Sequence, residues 1–183
     1  SGTYNDQWMI LNMKLFTPGQ PLSPGTFVVL EQIPGNVVWQ DLSKHLDSRG
    51  YWASYNVPAF PSIRKASNVP EHMHRNAPRA LIFKQQQERV VDLLSLQHVI
   101  RYNDWQNDPL SLGDACNAIS SRCDLNPPGS PIWQLDGGID AKASSVSMGL
   151  SLTFTAQNGP TTYHQPPFVW QAIPPNLALP HQG

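Results

Sequence analysis

Proline is the feature that most constrains this chain, because it accounts for 18 of the 183 residues. Many prolines lie between short apolar runs, as in Pro18, Pro21 and Pro24, and again in Pro127 and Pro128. Proline fixes φ and removes a backbone hydrogen-bond donor, so these segments are expected in loops or at the edges of strands. The pattern predicts short strands joined by long, shaped loops. Such loops usually pack against a surface, and part of that surface is expected to belong to another chain.

The charge balance excludes two classes of partner. Charged residues make up 14% of the chain and the net charge is -1 at neutral pH. This balance gives no electrostatic basis for binding nucleic acid or an anionic membrane. No run of 18 apolar residues is present, so no transmembrane helix is expected. The chain opens with Ser1 and passes at once into an apolar segment. We expect it to be a piece of a longer protein, and a designed boundary and a proteolytic product both stay open.

Strand patterns dominate the first part of the chain. Residues 2–16 predict a strand that is apolar on both faces, as expected for a strand buried on both sides. Residues 26–32 (TFVVLEQ) predict a second strand, and Pro34-Gly35 a turn. Residues 39–49 favour a helix, with Asp41 or Ser43 as the cap and a glycine at its end.

The rest of the chain gives weaker patterns. Residues 78–96 predict a helix, although the stretch from 85 to 89 interrupts its apolar face. A polar loop is expected at 68–78 and a short helix within 111–122. The sequence VSMGLSLTFTA (146–156) predicts a strand. Residues 160–180 form a proline-rich tail with one apolar anchor, at 168–170.

The two cysteines, Cys116 and Cys123, are separated by six residues. A disulfide can close a loop of this size, and it would indicate an oxidising compartment. Two free buried thiols are the alternative. The pair is a weak metal motif, because no second cysteine pair or nearby histidine completes four ligands. We therefore predict neither a metal nor another cofactor.

Polar clusters in two late segments are candidates for chemistry. Arg101, Asn103 and Asp104 lie together, and an arginine there can bind or orient a carboxylate. A buried structural ion pair is the favoured interpretation of this cluster. Asp136 and Asp140 flank a Gly-Gly pair. Paired carboxylates can act as acid and base or bind Ca²⁺, but the spacing lacks further ligands, so a glycine turn with a capping aspartate is favoured.

A third cluster contains Glu71, His72 and His74. These residue types bind metals, yet the loop offers no further ligand. Solvated histidines, which change charge near neutral pH, are the favoured interpretation.

Read in order, six segments resemble the phospholipase B-like family. They are SGTYNDQWMI (1–10), PGTFVVLEQIPG (24–35), RGYWASYNVPAF (49–60), RYNDWQNDPLS (101–111), GGIDAKASS (137–145) and GPTTYHQPPFVW (159–170). The resemblance spans nearly the whole chain, and several of these motifs are long and unlike common structural patterns.

The resemblance implies an α+β fold: part of the four-layer αββα sandwich of N-terminal-nucleophile hydrolases, with residues 1–183 as the C-terminal part of one domain. In that family a precursor cleaves itself and exposes a nucleophilic Cys, whose own α-amino group can act as the base. Members are glycoproteins that reach the lysosome through the secretory pathway, and they are often processed into fragments that stay together. The N-terminal fragment or fragments of the same precursor are therefore the implied partner, and they carry the nucleophile.

Site residues follow from the first of these motifs. Asn5 matches the family position expected to hold an uncharged oxyanion donor, and hydrogen bonding to a neighbouring loop is its structural alternative. Tyr4 and Trp8 are expected to bind substrate beside it. The chain departs from the family in having Asp6 where a second Asn is common, and the family's cysteine pair is mostly more closely spaced. Ser1 as an N-terminal nucleophile is the disfavoured alternative.

The implied activity is hydrolysis of an acyl amide or ester, with a lipid as one candidate substrate. Two alternatives stay open at this point. One is a catalytically inactive lysosomal structural or binding glycoprotein that retains the fold. The other is a freestanding binding domain of a different fold.

Overall fold

A computed structural model describes residues 6–134 and 137–169. Its elements mix short strands and short helices, compatible with an α+β chain. The strands are β1 (Asp6–Leu11), β2 (Phe27–Ile33), β3 (Asn36–Asp41), β4 (Asp140–Ala143) and β5 (Thr155–Asn158). The helices are α1 (Ser43–Arg49), α2 (Pro61–Ala66), α3 (His72–Arg75), α4 (Pro78–Gln86), α5 (Leu93–Ile100) and α6 (Val146–Leu150). None of the helices in the described ranges has the length and hydrophobicity to span a bilayer.

An antiparallel sheet in the order β1-β2-β3 organises the first half of the chain. The predicted second strand and the Pro34-Gly35 turn are confirmed. Gly35 has φ +78°, a conformation that the two-residue turn between β2 and β3 requires and that glycine adopts without strain. The predicted first strand is too long, because Asn12 caps a 3₁₀ turn at Met13–Leu15 that ends the extended segment.

The core lies between one face of this sheet and the helices α1 and α2. Phe27 and Val29 point from β2 toward Phe60 and Ile63, and these four side chains are buried together. We call this the inner face of the sheet. Partly buried residues complete the cluster: Ile33, Val38, Leu42, Leu46 and Trp52.

Several helix boundaries differ from the sequence predictions, because strand pairing or helix capping set them. Residues 39–41 were predicted as helix but belong to β3, because they pair with β2. Helix α1 ends as predicted, at Gly50 in the left-handed region, but its cap position is Leu42. The polar loop at 68–78 contains the short helix α3.

The single helix predicted for 78–96 is interrupted. Helix α4 passes into a 3₁₀ turn at Gln87–Arg89, and Asp92 starts α5 with a capping box, its side chain accepting a hydrogen bond from the backbone N–H of Ser95 at 2.7 Å.

Two later predictions are wrong. Residues 111–122 form turns instead of a helix, and VSMGLSLTFTA divides into α6 and β5. The side chain of Ser145 accepts a hydrogen bond from the backbone N–H of Met148 and thereby caps α6. Strand β5 then pairs with β4 instead of the main sheet.

Candidate functional site

The strand that follows the predicted catalytic residue lies at an edge of the main sheet. Asn5 and Tyr4 lie outside the described residues, since β1 begins at Asp6. Trp8 of β1 is aligned with Leu30 of β2, which is aligned in turn with Trp39 of β3. Residues aligned across strands share a face. The three side chains therefore form one row across the sheet, on the face opposite the core.

This outer face of the sheet is apolar and open. Four of its side chains are more than half exposed: Trp8 (58%), Ile10 (51%), Val37 (53%) and Trp39 (65%). Val28 and Leu30 lie between them and are only partly covered. The expectation that β1 is buried on both sides is not met within this chain. A contiguous apolar face of this kind marks an interaction surface.

Strand geometry constrains how Trp8 relates to Asn5. Side chains alternate between the two faces of a strand, so an odd separation places two residues on opposite faces. Three positions separate Asn5 from Trp8. In a regular strand, the Trp8 ring and the Asn5 amide would therefore face opposite sides. Both can line one pocket only if the backbone between them is not regularly extended, so their joint role stays a prediction.

Glu31 places one buried carboxylate on the inner face, beside the apolar core. It is 1% exposed, and it accepts hydrogen bonds from the Gln7 side-chain amide and from the backbone N–H groups of Ala59 and Phe60, the last at 2.9 Å. These contacts hold the loop before α2 against β1 and β2. This role was not predicted from the sequence. The signal was present, because Glu31 continues the inward alternation of Phe27 and Val29.

An open cleft of about 1080 Å³ lies beside this loop and is lined by many cationic side chains. His74 also lines the cleft, and it is partly buried instead of fully solvated as the sequence suggested. Burial lowers the pKa of His74, and the nearby cations Arg64 and Arg75 lower it further, against smaller opposing effects of Glu31 and Glu71. Within the described ranges, no group of three or more His, Cys, Asp and Glu side chains is arranged to hold a metal ion.

The Arg101 cluster is structural, although its bonding is not the predicted ion pair. Arg101 is buried and donates to the carbonyl oxygens of Gly159 and Pro160, at 3.1 and 3.2 Å. Asn103 is fully buried, and its amide donates to the carbonyl oxygens of Ala115 and Ser120. The cluster therefore binds neighbouring loops through their backbone.

A second buried arginine, not predicted from the sequence, stabilises the same region. Arg122 is 1% exposed and makes a bidentate ion pair with Asp124, at 2.9 and 2.8 Å. It also donates to the carbonyl oxygens of Thr161 and Pro166. No local motif marks Arg122, because its partners at 161 and 166 are some forty residues away.

Cys116 and Cys123 are joined by a disulfide, as expected, with their Cα atoms 4.5 Å apart. Neither cysteine of the chain is therefore a free thiol. The disulfide closes a loop in this region. Asn126 stabilises the same region, because its side-chain amide donates hydrogen bonds to Asp114 and to the carbonyl oxygen of Ile132.

The Gly-Gly pair is required by close packing. An ideal Cβ on Gly137 would lie 2.5 Å from the carbonyl oxygen of Ser121, and one on Gly138 would lie 2.8 Å from the Oγ atom of Ser120. Of the two flanking aspartates, Asp140 pairs with Lys142 on β4, and Asp136 lies outside the described residues.

A second cavity, of about 490 Å³, lies between α4, α5 and the segment near residue 163. The rings of His98 and Tyr163 are stacked there, with their centroids 5.2 Å apart. Tyr102 donates its hydroxyl hydrogen to Asp108 at 2.9 Å. Burial, and then this hydrogen bond, raise the pKa of Tyr102 well above its usual value.

Comparison with known proteins decides the family. The profile described as Phospholipase B matches residues 1–183. The chain belongs to the phospholipase B family. Phospholipase B-like protein B of Dictyostelium discoideum is 41% identical over 99% of this chain, and phospholipase B-like 2 proteins of Bos taurus and Homo sapiens are 46% and 44% identical over 95% of it. The resemblance recognised from the six motifs is thereby confirmed.

This phospholipase B family chain spans about a third of the length of these relatives, since the matches cover 34%, 33% and 33% of them. The similarity reaches both of the regions described above, the sheet with its inner and outer faces and the loops around Arg101 and Arg122.

Proposed function

We propose that this chain is the C-terminal part of a hydrolase that cleaves acyl amide or ester bonds, with a lipid as one candidate substrate, in the lumen of the lysosome. Family membership over residues 1–183 is the observation that carries this proposal. The relatives are named phospholipase B-like, and acyl transfer to water is the chemistry that this name suggests.

The nucleophile of this hydrolase is a Cys on another part of the precursor. Both cysteines of this chain are joined to each other, so neither supplies the thiolate that nucleophilic attack requires. A cysteine at the N-terminus of a partner fragment would combine the nucleophile with an α-amino base in one residue.

The rest of the precursor completes an αββα sandwich on the outer face of the β1-β2-β3 sheet. Two features support this proposal. The sheet already has helices α1 and α2 on its inner face, and its outer face is a broad apolar surface around Trp8 and Trp39. Half of an αββα sandwich consists of one helical layer and one sheet, and the other face of that sheet is apolar because it packs against the second sheet.

Asn5 is the proposed oxyanion donor of the assembled site, with Tyr4 and Trp8 as substrate contacts. A side-chain amide is uncharged and donates a hydrogen bond to developing negative charge without a proton transfer.

In the full-length protein, Asn5→Ala should lower turnover of a synthetic acyl amide or ester by roughly 10²–10³-fold, as the loss of one such donor does elsewhere. Asn36→Ala, an exposed residue at the start of β3, is the matched control. Equal turnover in both variants, with normal folding of each, would refute the assignment of Asn5.

The first residue of the partner fragment tests the nucleophile separately. N-terminal sequencing of the processed protein should find Cys. A residue without a nucleophilic side chain there would instead support an inactive structural or binding glycoprotein that retains the fold.

A further inference from the structure

The cleft beside α2 and α3 is lined by a group of cationic and titratable side chains. Its cationic and titratable lining residues are Lys44, His45, Arg64, His72, His74 and Arg75. The acidic residues in the lining are Asp41 and Glu71. An excess of cations in a concave site concentrates the field and attracts anions.

Arg64 gives this cleft a buried cation whose position is fixed by hydrogen bonds. The residue is 8% exposed, yet it lines the cleft. Its Nη1 atom donates to the carbonyl oxygens of Pro58 (3.2 Å) and Ala59. A guanidinium has five N–H donors in a fixed plane. Among the described residues, none accepts a hydrogen bond from Nε or Nη2 of Arg64, and none forms an ion pair with it.

The buried acid Glu31 is already bound by other donors. Glu31 and Arg64 both bind the backbone of Ala59, since Glu31 accepts from its N–H while Arg64 donates to its carbonyl oxygen. The Glu31 carboxylate also holds the N–H of Phe60 and the side chain of Gln7. Glu31 makes no hydrogen bond or ion pair with Arg64, so the Nε and Nη2 atoms of Arg64 stay without an acceptor among the described residues.

The other cations of the cleft influence one another. The neighbours that depress the pKa of His74 after burial are Arg64 and Arg75, and Arg75 also lowers the pKa of His45 after burial and Arg49. Four cationic or titratable groups are thus connected through space around one opening. An anion placed among them would relieve this mutual repulsion.

Asp41 keeps its negative charge, but its hydrogen bonds go to donors outside the cationic group. Its carboxylate accepts from the backbone N–H of Ser43 (2.9 Å), the hydroxyl of Ser43 and the backbone N–H of Gly25 (2.7 Å). Glu71 is exposed, so solvent and salt screen its charge. The lining therefore has three cations, Lys44, Arg64 and Arg75, against two carboxylates.

We propose that this cleft binds a phosphate group, with Arg64 as its buried anchor and Arg75, His74 and His45 around it. A tetrahedral dianion accepts several hydrogen bonds at once, and the planar guanidinium fork of Arg64 suits bidentate binding to two of its oxygens. The same cleft is lined by Trp52 and Phe60, which provide apolar contact for an organic phosphate. The phosphate belongs either to a small soluble molecule or to a lipid headgroup. This assignment is independent of the proposed hydrolase activity.

The test measures binding of inorganic sulfate and inorganic phosphate to the full-length protein by calorimetry. Arg64→Gln should weaken sulfate binding by at least about tenfold, the loss expected for a bidentate charge-assisted pair. Arg75→Gln should weaken it as well, and it addresses the case in which Arg64→Gln fails to fold, because Arg75 is exposed. Lys65→Gln is the matched control: it removes one positive charge from the same helix at an exposed position outside the cleft lining.

Two further arms complete the experiment. Sulfate keeps its charge through the titration of histidine, so its affinity should rise as the pH falls and His45 and His74 gain protons. A soluble glycerophosphodiester that binds more tightly than inorganic phosphate would identify a lipid headgroup, and the reverse order a small phosphate. The proposal is overturned when the wild-type protein binds none of these anions, or when Arg64→Gln and Arg75→Gln bind them as Lys65→Gln does.

Discussion

Glu31 shows how one charged side chain organises an otherwise apolar layer. It continues the inward alternation of β2, beside Phe27 and Val29, and its two oxygens accept from a side chain on β1 and from the loop before α2. A buried carboxylate is costly unless such donors satisfy it. The contacts with Ala59 and Phe60 therefore fix where α2 begins.

Replacing Glu31 with Ala should destabilise the protein by about 3 kcal/mol, because its three N–H donors lose their acceptor in a buried place. Urea unfolding followed by tryptophan fluorescence measures the change. Glu88→Ala is the control, since Glu88 is exposed on the 3₁₀ turn after α4. Equal stability of the two variants would mean that the loop is held by other contacts.

The Gly-Gly pair allows a second prediction at the level of single residues. Gly138→Ala should cost about 1–3 kcal/mol, the usual range for overpacking, because the new Cβ meets the Oγ atom of Ser120. Adding Ser120→Ala removes that atom and should restore most of the loss. Gly137→Ala meets the backbone oxygen of Ser121 instead, so no side-chain change at 121 should rescue it. Rescue of both variants by side-chain truncation would contradict this account.

At the level of secondary structure, local capping residues set the bounds of some elements, and long-range strand pairing set those of others. Capping set the starts of α5 and α6 at Asp92 and Ser145. Pairing with β2 kept residues 39–41 in a strand, although their pattern favours a helix.

The capping box of α5 gives a prediction with a pH dependence. Hydrogen bonds from the side chain and the backbone of Ser95 lower the pKa of Asp92. A group with a lowered folded pKa stabilises the protein above its unfolded pKa, and this contribution is lost as the pH falls through the folded value. Asp92→Ala should lower the urea midpoint at about pH 6, and the difference from wild type should shrink at about pH 3. Asp92→Asn keeps an acceptor oxygen and should lose less at about pH 6. A difference that grows toward low pH would contradict the assignment.

How much of the molecule was predictable follows from the range of each interaction. Strand β2, its turn and the end of α1 at Gly50 depend on neighbouring residues, and the sequence patterns predicted them. The cleft around Arg64 depends on side chains from 40 to 76 meeting in space, and no local pattern announces it. The Arg122 contacts with residues near 161 are long-range for the same reason. Asn5 was singled out through the family motif alone.

At the scale of the whole molecule, the two faces of the main sheet differ in what covers them. The inner face is covered over β2 by α1, α2 and the Glu31 contacts, although Met9 and Leu11 of β1 on that face stay exposed. The outer face presents Trp8, Ile10 and Trp39 to solvent within this chain. Under the proposed sandwich, the rest of the precursor covers that outer face.

A charge on the outer face of the full-length protein tests that arrangement. Trp39→Asp should lower its stability by at least about 2 kcal/mol, because an indole leaves an apolar contact and a carboxylate enters it. Gln40→Asp is the matched control, since Gln40 is the next residue, is exposed and faces the opposite side. Differential scanning calorimetry provides the comparison. Equal transition temperatures for the two variants would show that the outer face stays open to solvent in the complete protein.

The two buried arginines near the end of the described chain have a consequence for proteolysis. Between residues 159 and 166 the backbone has no regular structure, yet four of its carbonyl oxygens accept hydrogen bonds from Arg101 and Arg122. A peptidase binds its substrate as an added extended strand, through free backbone N–H and C=O groups. Proline removes some of the N–H groups of this segment, and the arginines occupy much of its carbonyl surface. The segment is thus a loop in shape but is expected to be a poor peptidase substrate.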